Sequence, residues 1–270
     1  MSTRTPPRIL SIAGSDSSGG AGIQADIKTV TMLGGYAMTA ITAVTAQNTI
    51  GVQAITPLPG EFVAAQIASC IDDIGVDAIK IGMLHDIDII AHVAAAIEAL
   101  GGRVPVVLDP VLVASSGANL ITPDAVIELE DRLFPLATLI TPNLPELELI
   151  TECELRTTDL MERAAAELAR VYGAHVLAKG GHTDDARVID ILVAPDGTAT
   201  HFAHERVDTR HTHGTGCTLS AAIATLLGHG LELGQAVRLA REFVLRAILA
   251  APGYGAGNGP LGHQAVTSGR

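Results

Sequence analysis

The octet His213-Gly214-Thr215-Gly216-Cys217-Thr218-Leu219-Ser220 joins small, flexible residues to an apolar run at helical spacing: Leu219, Ala222, Ile223, Leu226 and Leu227. A glycine-threonine turn feeding a helix presents unpaired backbone N–H groups, and the helix dipole adds partial positive charge there. Such a turn suits a phosphate or a developing oxyanion. By itself it reads equally as an ordinary glycine turn capped by Thr215. Other residues supply the rest of a phosphoryl-transfer inventory, a chemistry that needs positioning and charge stabilisation more than covalent help. Gly214, Thr215, Gly216 and Cys217 can offer amides to the transferring group, and Lys179 can meet phosphate oxygens as a point charge. Asp109 and Glu146 are oxygen ligands suited to Mg²⁺, directly or through water. Asn143 can hold a phosphate or the metal's water shell. Each also has a plainer reading: a solvated lysine, an Asp-Pro turn, a helix-start acid favoured by the dipole.

Residues this far apart need a frame that gathers them, and the hydrophobic pattern predicts one. Short apolar runs read as strands at 8–13, 37–45, 78–81, 104–108, 139–140 and 175–178. Between them, helical periodicity predicts helices at 23–33, 62–74, 87–100 and 160–172, with another opening at Thr122-Pro123-Asp124, Thr at N-cap and Pro at N1. Polar or glycine residues collect just after the strands: Gly14, Gln47, Met83, Asp109, Asn143 and Lys179. In a parallel α/β sheet those ends share one rim, so the residues converge on one crevice. Runs at 189–193 and 198–204 flank Pro195-Asp196-Gly197 and predict a hairpin. Helices at 218–227 and 233–249 precede a glycine-rich tail around 253–262. The loop 113–120 and the hairpin near Pro195 are candidate moving segments, and the sequence does not decide whether either closes over the site. No linker or repeat divides the chain, so one domain spanning 1–270 is expected, with short tails outside a core of about 8–262.

Composition narrows the classes. Hydrophobic residues make up 48% of the 270 and charged ones 17%, which is globular; with 3% aromatics and no Trp, the core must be built from Ala, Val, Ile and Leu. A formal charge of -12 argues against nucleic acid or an acidic membrane as partner, since both need a basic face. Cys70, Cys153 and Cys217 lack zinc-site spacing, and an odd, scattered set predicts free thiols, most of them buried, and no disulfide framework. The first residues lack the apolar core of a signal peptide, and no run approaches the ~18 apolar residues of a membrane span. A soluble cytoplasmic protein is expected.

The segment 14–22, Gly14-Ser15-Asp16-Ser17-Ser18-Gly19-Gly20-Ala21-Gly22, follows a strand and precedes a helix, as a ligand loop or a plain connector would. It contains neither a Walker A lysine nor a GxGxxG fingerprint. Extended from Ser11 to Asp26, it resembles the opening signature of the hydroxymethylpyrimidine and phosphomethylpyrimidine kinases of thiamine biosynthesis. So do Val44-Thr45-Ala46-Gln47-Asn48-Thr49, Lys80-Ile81-Gly82-Met83-Leu84, Thr141-Pro142-Asn143-Leu144-Pro145-Glu146, Lys179-Gly180-Gly181-His182 and 212–220, all in the family's order. The resemblance runs from about Ile9 to the Gly259-Pro260 tail. It implies a ribokinase-like three-layer α/β/α sandwich with a mostly parallel central sheet. It also implies an ATP- and Mg²⁺-dependent kinase that converts 4-amino-5-hydroxymethyl-2-methylpyrimidine to its monophosphate and then to the diphosphate. A homodimer is implied too, with no fused thiamine-phosphate synthase or thiaminase-like domain.

Carried over residue by residue, the resemblance puts the pyrimidine near Gly14, Ala21, Asp26, Val44, Gln47 and Met83. ATP would use Asn143, Lys179, Thr215 and Gly216, with Asp109 and Glu146 near Mg²⁺. The chemistry agrees. An aminopyrimidine shows a ring-nitrogen acceptor beside an amino donor, and the Gln47 amide carries the complementary pair; Met83 would give adaptable apolar contact. Gln47 alone would read equally as a polar cap on a strand end. Cys217 stands where many ribokinase-like enzymes carry an aspartate base. A helix N-terminus should lower its thiol pKa from ~8.5, so a thiolate base and an anion-hole member are both open; a covalent nucleophile is disfavoured because in-line transfer needs none. The competing functions are a pyridoxal or pyridoxine kinase, a non-catalytic pyrimidine-binding sensor and, least, a Cys hydrolase.

Overall fold

A computed structural model describes residues 5–112, 120–181 and 186–266. The chain opens β1 (Arg8–Ala13), α1 (Gly22–Met32), β2 (Tyr36–Ile41), β3 (Ala43–Gln47), β4 (Val52–Pro57), α2 (Gly60–Asp73), β5 (Ala78–Ile81) and α3 (Ile87–Glu98). It continues β6 (Val106–Leu108), α4 (Pro123–Arg132), β7 (Leu139–Ile140), α5 (Leu144–Thr151), α6 (Thr158–Tyr172), β8 (His175–Ala178), β9 (Arg187–Val193), β10 (Ala199–Glu205), α7 (Thr215–Gly228) and α8 (Leu233–Leu249).

Eight strands form one sheet in the order β10-β9-β8-β7-β6-β5-β1-β2. The run from β2 to β8 is parallel throughout, and β9 and β10 add an antiparallel edge. Alternation along each strand makes two cores. Leu10, Ile79, Val106, Leu108 and Ile140 face a layer that includes Ile67 of α2, Ile89 of α3 and Leu168 of α6. Ile9, Ala78, Val107 and Leu139 face the other way, onto Val30 of α1, Ile223 of α7 and Val237 of α8. This is the three-layer α/β/α sandwich expected from the resemblance. Removing a fully buried Ile or Leu from water stabilises by roughly 1.5–3 kcal/mol, so these two cores carry most of the fold with few aromatics.

Two differences from the sequence reading bear on the site. The single strand expected at 37–45 is two strands in different sheets. Thr42, fully buried, breaks it: its N–H bonds the Ala13 carbonyl, its hydroxyl donates to the Met83 carbonyl at 2.6 Å, and its own carbonyl accepts from Leu58. The chain therefore leaves the main sheet, and β3 pairs antiparallel with β4 as a separate ribbon. That pairing places Gln47 beyond the sheet's rim, with an irregular register between Ala46 and Gln47. At α4, Thr122 occupies the N-cap position as expected, but its side chain makes no capping bond. His182 and most of the 113–120 loop lie outside the described residues.

Candidate active site

A cleft of about 610 Å³ opens along the carboxyl-terminal rim of the parallel strands. Short connections set its walls. Gly14 follows β1, Asp109 follows β6 and Lys179 follows β8 directly; Asn143 begins α5 just beyond β7. The parallel register lines up these ends, and a bridge between Asn143 and Lys179 extends the β7–β8 pairing past the strands.

At the centre, Lys179 Nζ donates to Asp109 Oδ1 at 2.7 Å, and Thr141 Oγ1 donates to the same oxygen at 2.9 Å. Burial opposes the charge on Asp109, but Lys179 and Lys80 more than offset it and hold the carboxyl below its ordinary range. Lys179 is likewise raised: burial pulls it down, and Asp109 and Glu146 outweigh that pull. Asn143 and Glu146 form a reciprocal capping box. Asn143 Oδ1 accepts from the Glu146 N–H at 2.9 Å, while the Glu146 carboxylate accepts from the Asn143 N–H at 2.8 Å. The Asn-x-x-Glu spacing thus has a local cause, since only a three-residue step closes both bonds. Glu146 is 6% exposed, and burial, relieved in part by Lys179 and aggravated by Asp109, pushes its pKa up to about 7.

Helix α7 enters from the opposite side. Gly214, its N-cap, sits at φ +86° with its α-carbon packed against the Gly20 carbonyl, where a side chain would have no room. The Thr215 N–H turns back to the Thr212 carbonyl and the Thr218 N–H to that of Gly214. The amides of Gly216 and Cys217 belong to the first turn and have no intrahelical acceptor. A Cβ on Gly216 would lie 3.3 Å from both Asp109 Oδ2 and Lys179 Nζ, so glycine lets the helix start meet the cationic centre. Among the described residues this gathers Gly214, Thr215, Gly216 and Cys217 of the turn with Lys179, Asp109, Asn143 and Glu146 in one cleft.

The other end of the cleft has a different lining. Gly14, Ala21, Gln47 and Met83 line it. Met83 packs with Ala43 and Leu120, and its methyl lies 2.5 Å from where a Cβ on Gly14 would stand. Gln47 is placed through Ser17: the Gln47 N–H donates to Ser17 Oγ and the Ser17 hydroxyl donates to the Gln47 carbonyl, each at 2.8 Å. Two residues assigned by the resemblance lie elsewhere. Val44 is exposed on β3 and does not line the cleft. Asp26 is fully buried beneath the floor, where it accepts from Lys80 Nζ at 2.8 Å and Ser11 Oγ at 2.5 Å.

Cys217 lines the cleft, but its expected acidity is not found. Burial pushes the thiol up to about 11, ahead of the opposing pull of Lys80 and of a hydrogen bond from the Gly22 amide; Asp26 and Asp109 add to the rise. The sequence showed the helix N-terminus and not the depth or the two carboxylates. Burial and the two carboxylates thus favour the thiol over the thiolate at this position.

Three buried groups of the cleft lining were not singled out by the sequence reading: Lys80, Asp16 and His213. Lys80 sits mid-strand at 0% exposure, and Ser11 is its register partner on β1, so both face α1 and the Asp26 carboxylate. Burial would lower the Lys80 pKa, but Asp26, Cys217 and Asp109 together raise it, and the ammonium stays charged. A lysine within the apolar run Ala78-Ile79-Lys80-Ile81 was the available signal, because an interior lysine demands a counter-charge.

Known proteins resemble this chain along most of its length. The family model for phosphomethylpyrimidine kinase matches residues 16–262. The thiamine biosynthesis bifunctional protein ThiED of Geobacter sulfurreducens is 47% identical over 256 residues; the match takes in 94% of this chain and 52% of that protein, about half its length. The hydroxymethylpyrimidine/phosphomethylpyrimidine kinase of Bacillus subtilis is 43% identical over 258 residues, 95% of this chain and 94% of that protein. Among solved structures, an ADP complex of Bacillus subtilis pyridoxal kinase superposes with a TM-score of 0.88 at 38% identity, covering 97% of this chain and 99% of the other.

Proposed function

The chain belongs to the phosphomethylpyrimidine kinase family, and on that premise we propose how its cleft phosphorylates a pyrimidine alcohol. The enzyme is a phosphotransferase. It converts 4-amino-5-hydroxymethyl-2-methylpyrimidine to the monophosphate and the monophosphate to the diphosphate, in the formation of thiamine diphosphate. The observation that carries this reading is the meeting, in one cleft, of Gly14, Ala21, Gln47 and Met83 with the Lys179–Asp109 centre and the start of α7.

ATP is the co-substrate, placed with its phosphates at Asn143, Lys179, Thr215 and Gly216. Asp109 and Glu146 suit Mg²⁺ as hard oxygen donors. The raised Glu146 pKa fits that use: burial disfavours its charge more than Lys179 relieves it, and a divalent ion would supply the missing cationic charge. When bound, Mg²⁺ would neutralise charge on the nucleotide phosphates. The hydroxymethyl oxygen forms a bond to the γ-phosphorus while the bond from that phosphorus to the ADP oxygen breaks, and the hydroxyl proton passes to an oxygen of the transferred phosphoryl group as the ester forms. Lys179 and the amides of Gly216 and Cys217 stabilise the transferring oxygens, and the Cys217 thiol completes that wall without becoming covalently attached. Asp26 acts on the site from below, through Lys80.

The second reading, a pyridoxal kinase, rests on the likeness to the Bacillus subtilis enzyme. Both substrates are ring hydroxymethyl compounds, and Gln47 favours the aminopyrimidine because its amide matches the adjacent donor and acceptor. No helix among the described residues is long and apolar enough to cross a membrane, and a cytoplasmic homodimer is the setting we propose, with exposed Val44 and Ile50 around the β3–β4 ribbon as its apolar contact. The deciding experiment supplies ATP, Mg²⁺ and either the pyrimidine alcohol or pyridoxal, with products followed by mass. Pyrimidine monophosphate followed by diphosphate supports the reading, and pyridoxal phosphate alone moves the assignment. Tight pyrimidine binding with no product in either tube would mean a sensor.

A further inference from the structure

Asp16 belongs to the loop that walls the ring pocket, and His213 immediately precedes the anion-binding turn. The two are 197 positions apart, yet His213 Nε2 lies 2.8 Å from Asp16 Oδ2. Both are buried, at 1% and 6% exposure. The same carboxylate accepts from the amides of Ser18, Gly20 and Ala21 and from the Ser18 hydroxyl. One side chain therefore organises the whole loop after Gly14 and reaches across to the turn before α7.

Backbone packing reinforces the join. A side chain on Gly20 would run into the His213 ring, and one on Gly214 into the Gly20 carbonyl. The far side of His213 is held as well, since its N–H donates to the Gly259 carbonyl at 3.2 Å and it bridges Pro260 in parallel register. Asp16 is held below the usual carboxylate range: burial opposes its charge, and the His213, Ser18 and Ala21 bonds outweigh that cost. An ionised Asp16 accepts, so His213 donates from Nε2. Neither group contacts the Lys179–Asp109 centre in the bonds of the structure.

We propose that Asp16 and His213 are a positioning pair: they fix the Gly214–Cys217 turn against the substrate loop, so that the amides meet the transferring phosphoryl group at the distance the transition state requires. The proposal rests on the phosphoryl-transfer reading above and extends it to two residues outside the substrate and ATP sets. Its physical basis is the steep dependence of transfer on alignment, where a displacement near 1 Å can cost roughly a hundredfold in rate. Loss of the pair loosens the turn relative to the alcohol, with little effect on how either substrate is bound at rest.

The test uses the full chain with three single variants and one double, each checked for a cooperative thermal transition. His213→Phe keeps the ring volume and removes the donor, Asp16→Asn removes the charge, and His213→Gln retains an N–H donor. Expected are falls of ten- to a hundredfold in kcat for H213F and D16N, with KM for the alcohol and for ATP within threefold of wild type. H213Q should stay within threefold in kcat, and D16N/H213F should be no slower than the slower single variant. A second readout needs no turnover: iodoacetamide labelling of the Cys217 peptide, followed by mass, should quicken at least fivefold in H213F and D16N but not in H213Q. A folded H213F or D16N with kcat within threefold of wild type overturns the pairing, as do multiplicative losses in the double variant or a loss confined to KM. If one variant does not fold, the other carries the test; if neither does, a tenfold loss in H213Q overturns the proposal and retention upholds it. Should the wild-type enzyme turn over neither alcohol, the functional reading fails, and the labelling rates alone judge whether the pair fixes the turn.

Discussion

Lys179 Nζ lies 2.7 Å from Asp109 Oδ1, across 70 positions of sequence, at the point where the ends of β8 and β6 face the start of α7. The contact gives the cleft a fixed positive centre beside a carboxylate already held ionised. Every group assigned to the transferring phosphate is arranged around it.

Lys179→Arg tests whether that centre works as a point charge. Arginine preserves the ion pair with Asp109, so the variant should melt within a few degrees of wild type. Its longer, planar head displaces the charge from the phosphate, and kcat should fall by about 10²–10³, the range for losing one preorganised donor. Stopped kinetics alongside a melting curve separates the two effects; unchanged kcat would remove Lys179 from the chemistry.

Lys80→Met should be felt first as instability. The variant leaves Asp26 without its cationic partner at 0% exposure, where burial already raises its pKa, so the carboxyl must take up a proton or stay charged and unpaired, and breaking the pair costs about 3–5 kcal/mol. Urea unfolding measures it, and Lys80→Met with Asp26→Leu should recover most of the loss. A Lys80→Met protein as stable as wild type would show that the pair does not hold the fold.

The raised pKa of Glu146 has a definite sign in stability. Between its ordinary 4.5 and about 7 the folded state binds more protons than the unfolded state, so stability falls as pH rises through that window and is level above it. A shift of this size corresponds to about 3 kcal/mol. Glu146→Gln, which cannot lose a proton and can still accept from Asn143, should not show the decline. Asp109, shifted the other way from 3.8, contributes only at lower pH. Urea titrations of both proteins from pH 4 to 8 check this, and parallel curves would refute it.

Cys217 should label slowly at neutral pH, and its rate should keep climbing with pH toward about 11. The pH–rate profile for phosphorylation should therefore show no thiolate limb between pH 6 and 9. Cys217→Ser, which keeps a small neutral group at the helix start, should hold kcat within about tenfold. A loss of a thousandfold would restore Cys217 as the base.

Gly14→Ala separates the two ends of the cleft. The added methyl meets the tip of Met83, which can swing away, so the protein should fold. Either the methyl or the displaced thioether narrows the ring pocket, and KM for the pyrimidine should rise about tenfold with KM for ATP unchanged. Equal changes in both constants would move the ring elsewhere.

How far the sequence reaches is clear from particular elements. Strand and helix order was legible for β1, α1, β5, β6, β8 and the β9–β10 hairpin, because burial on a sheet imposes local periodicity that residue types must follow. The glycine-threonine turn, Asp109, Asn143 and Lys179 were legible as chemistry because they punctuate strand ends. Local pattern could not show that Thr42 would split one apparent strand between two sheets, since its three bonds go to Ala13, Leu58 and Met83. Nor could it show that Asp26 lies under the pocket, that Val44 faces solvent, or that Lys80, Asp16 and His213 are buried in the cleft lining. The acidity of Cys217 failed for the same reason: a helix N-terminus is written in consecutive residues, whereas burial and two nearby carboxylates are not. Sequence determined which elements form and which residues stand at their ends. Tertiary structure decided which charges share a low-dielectric interior, and there distance and desolvation set protonation and alignment.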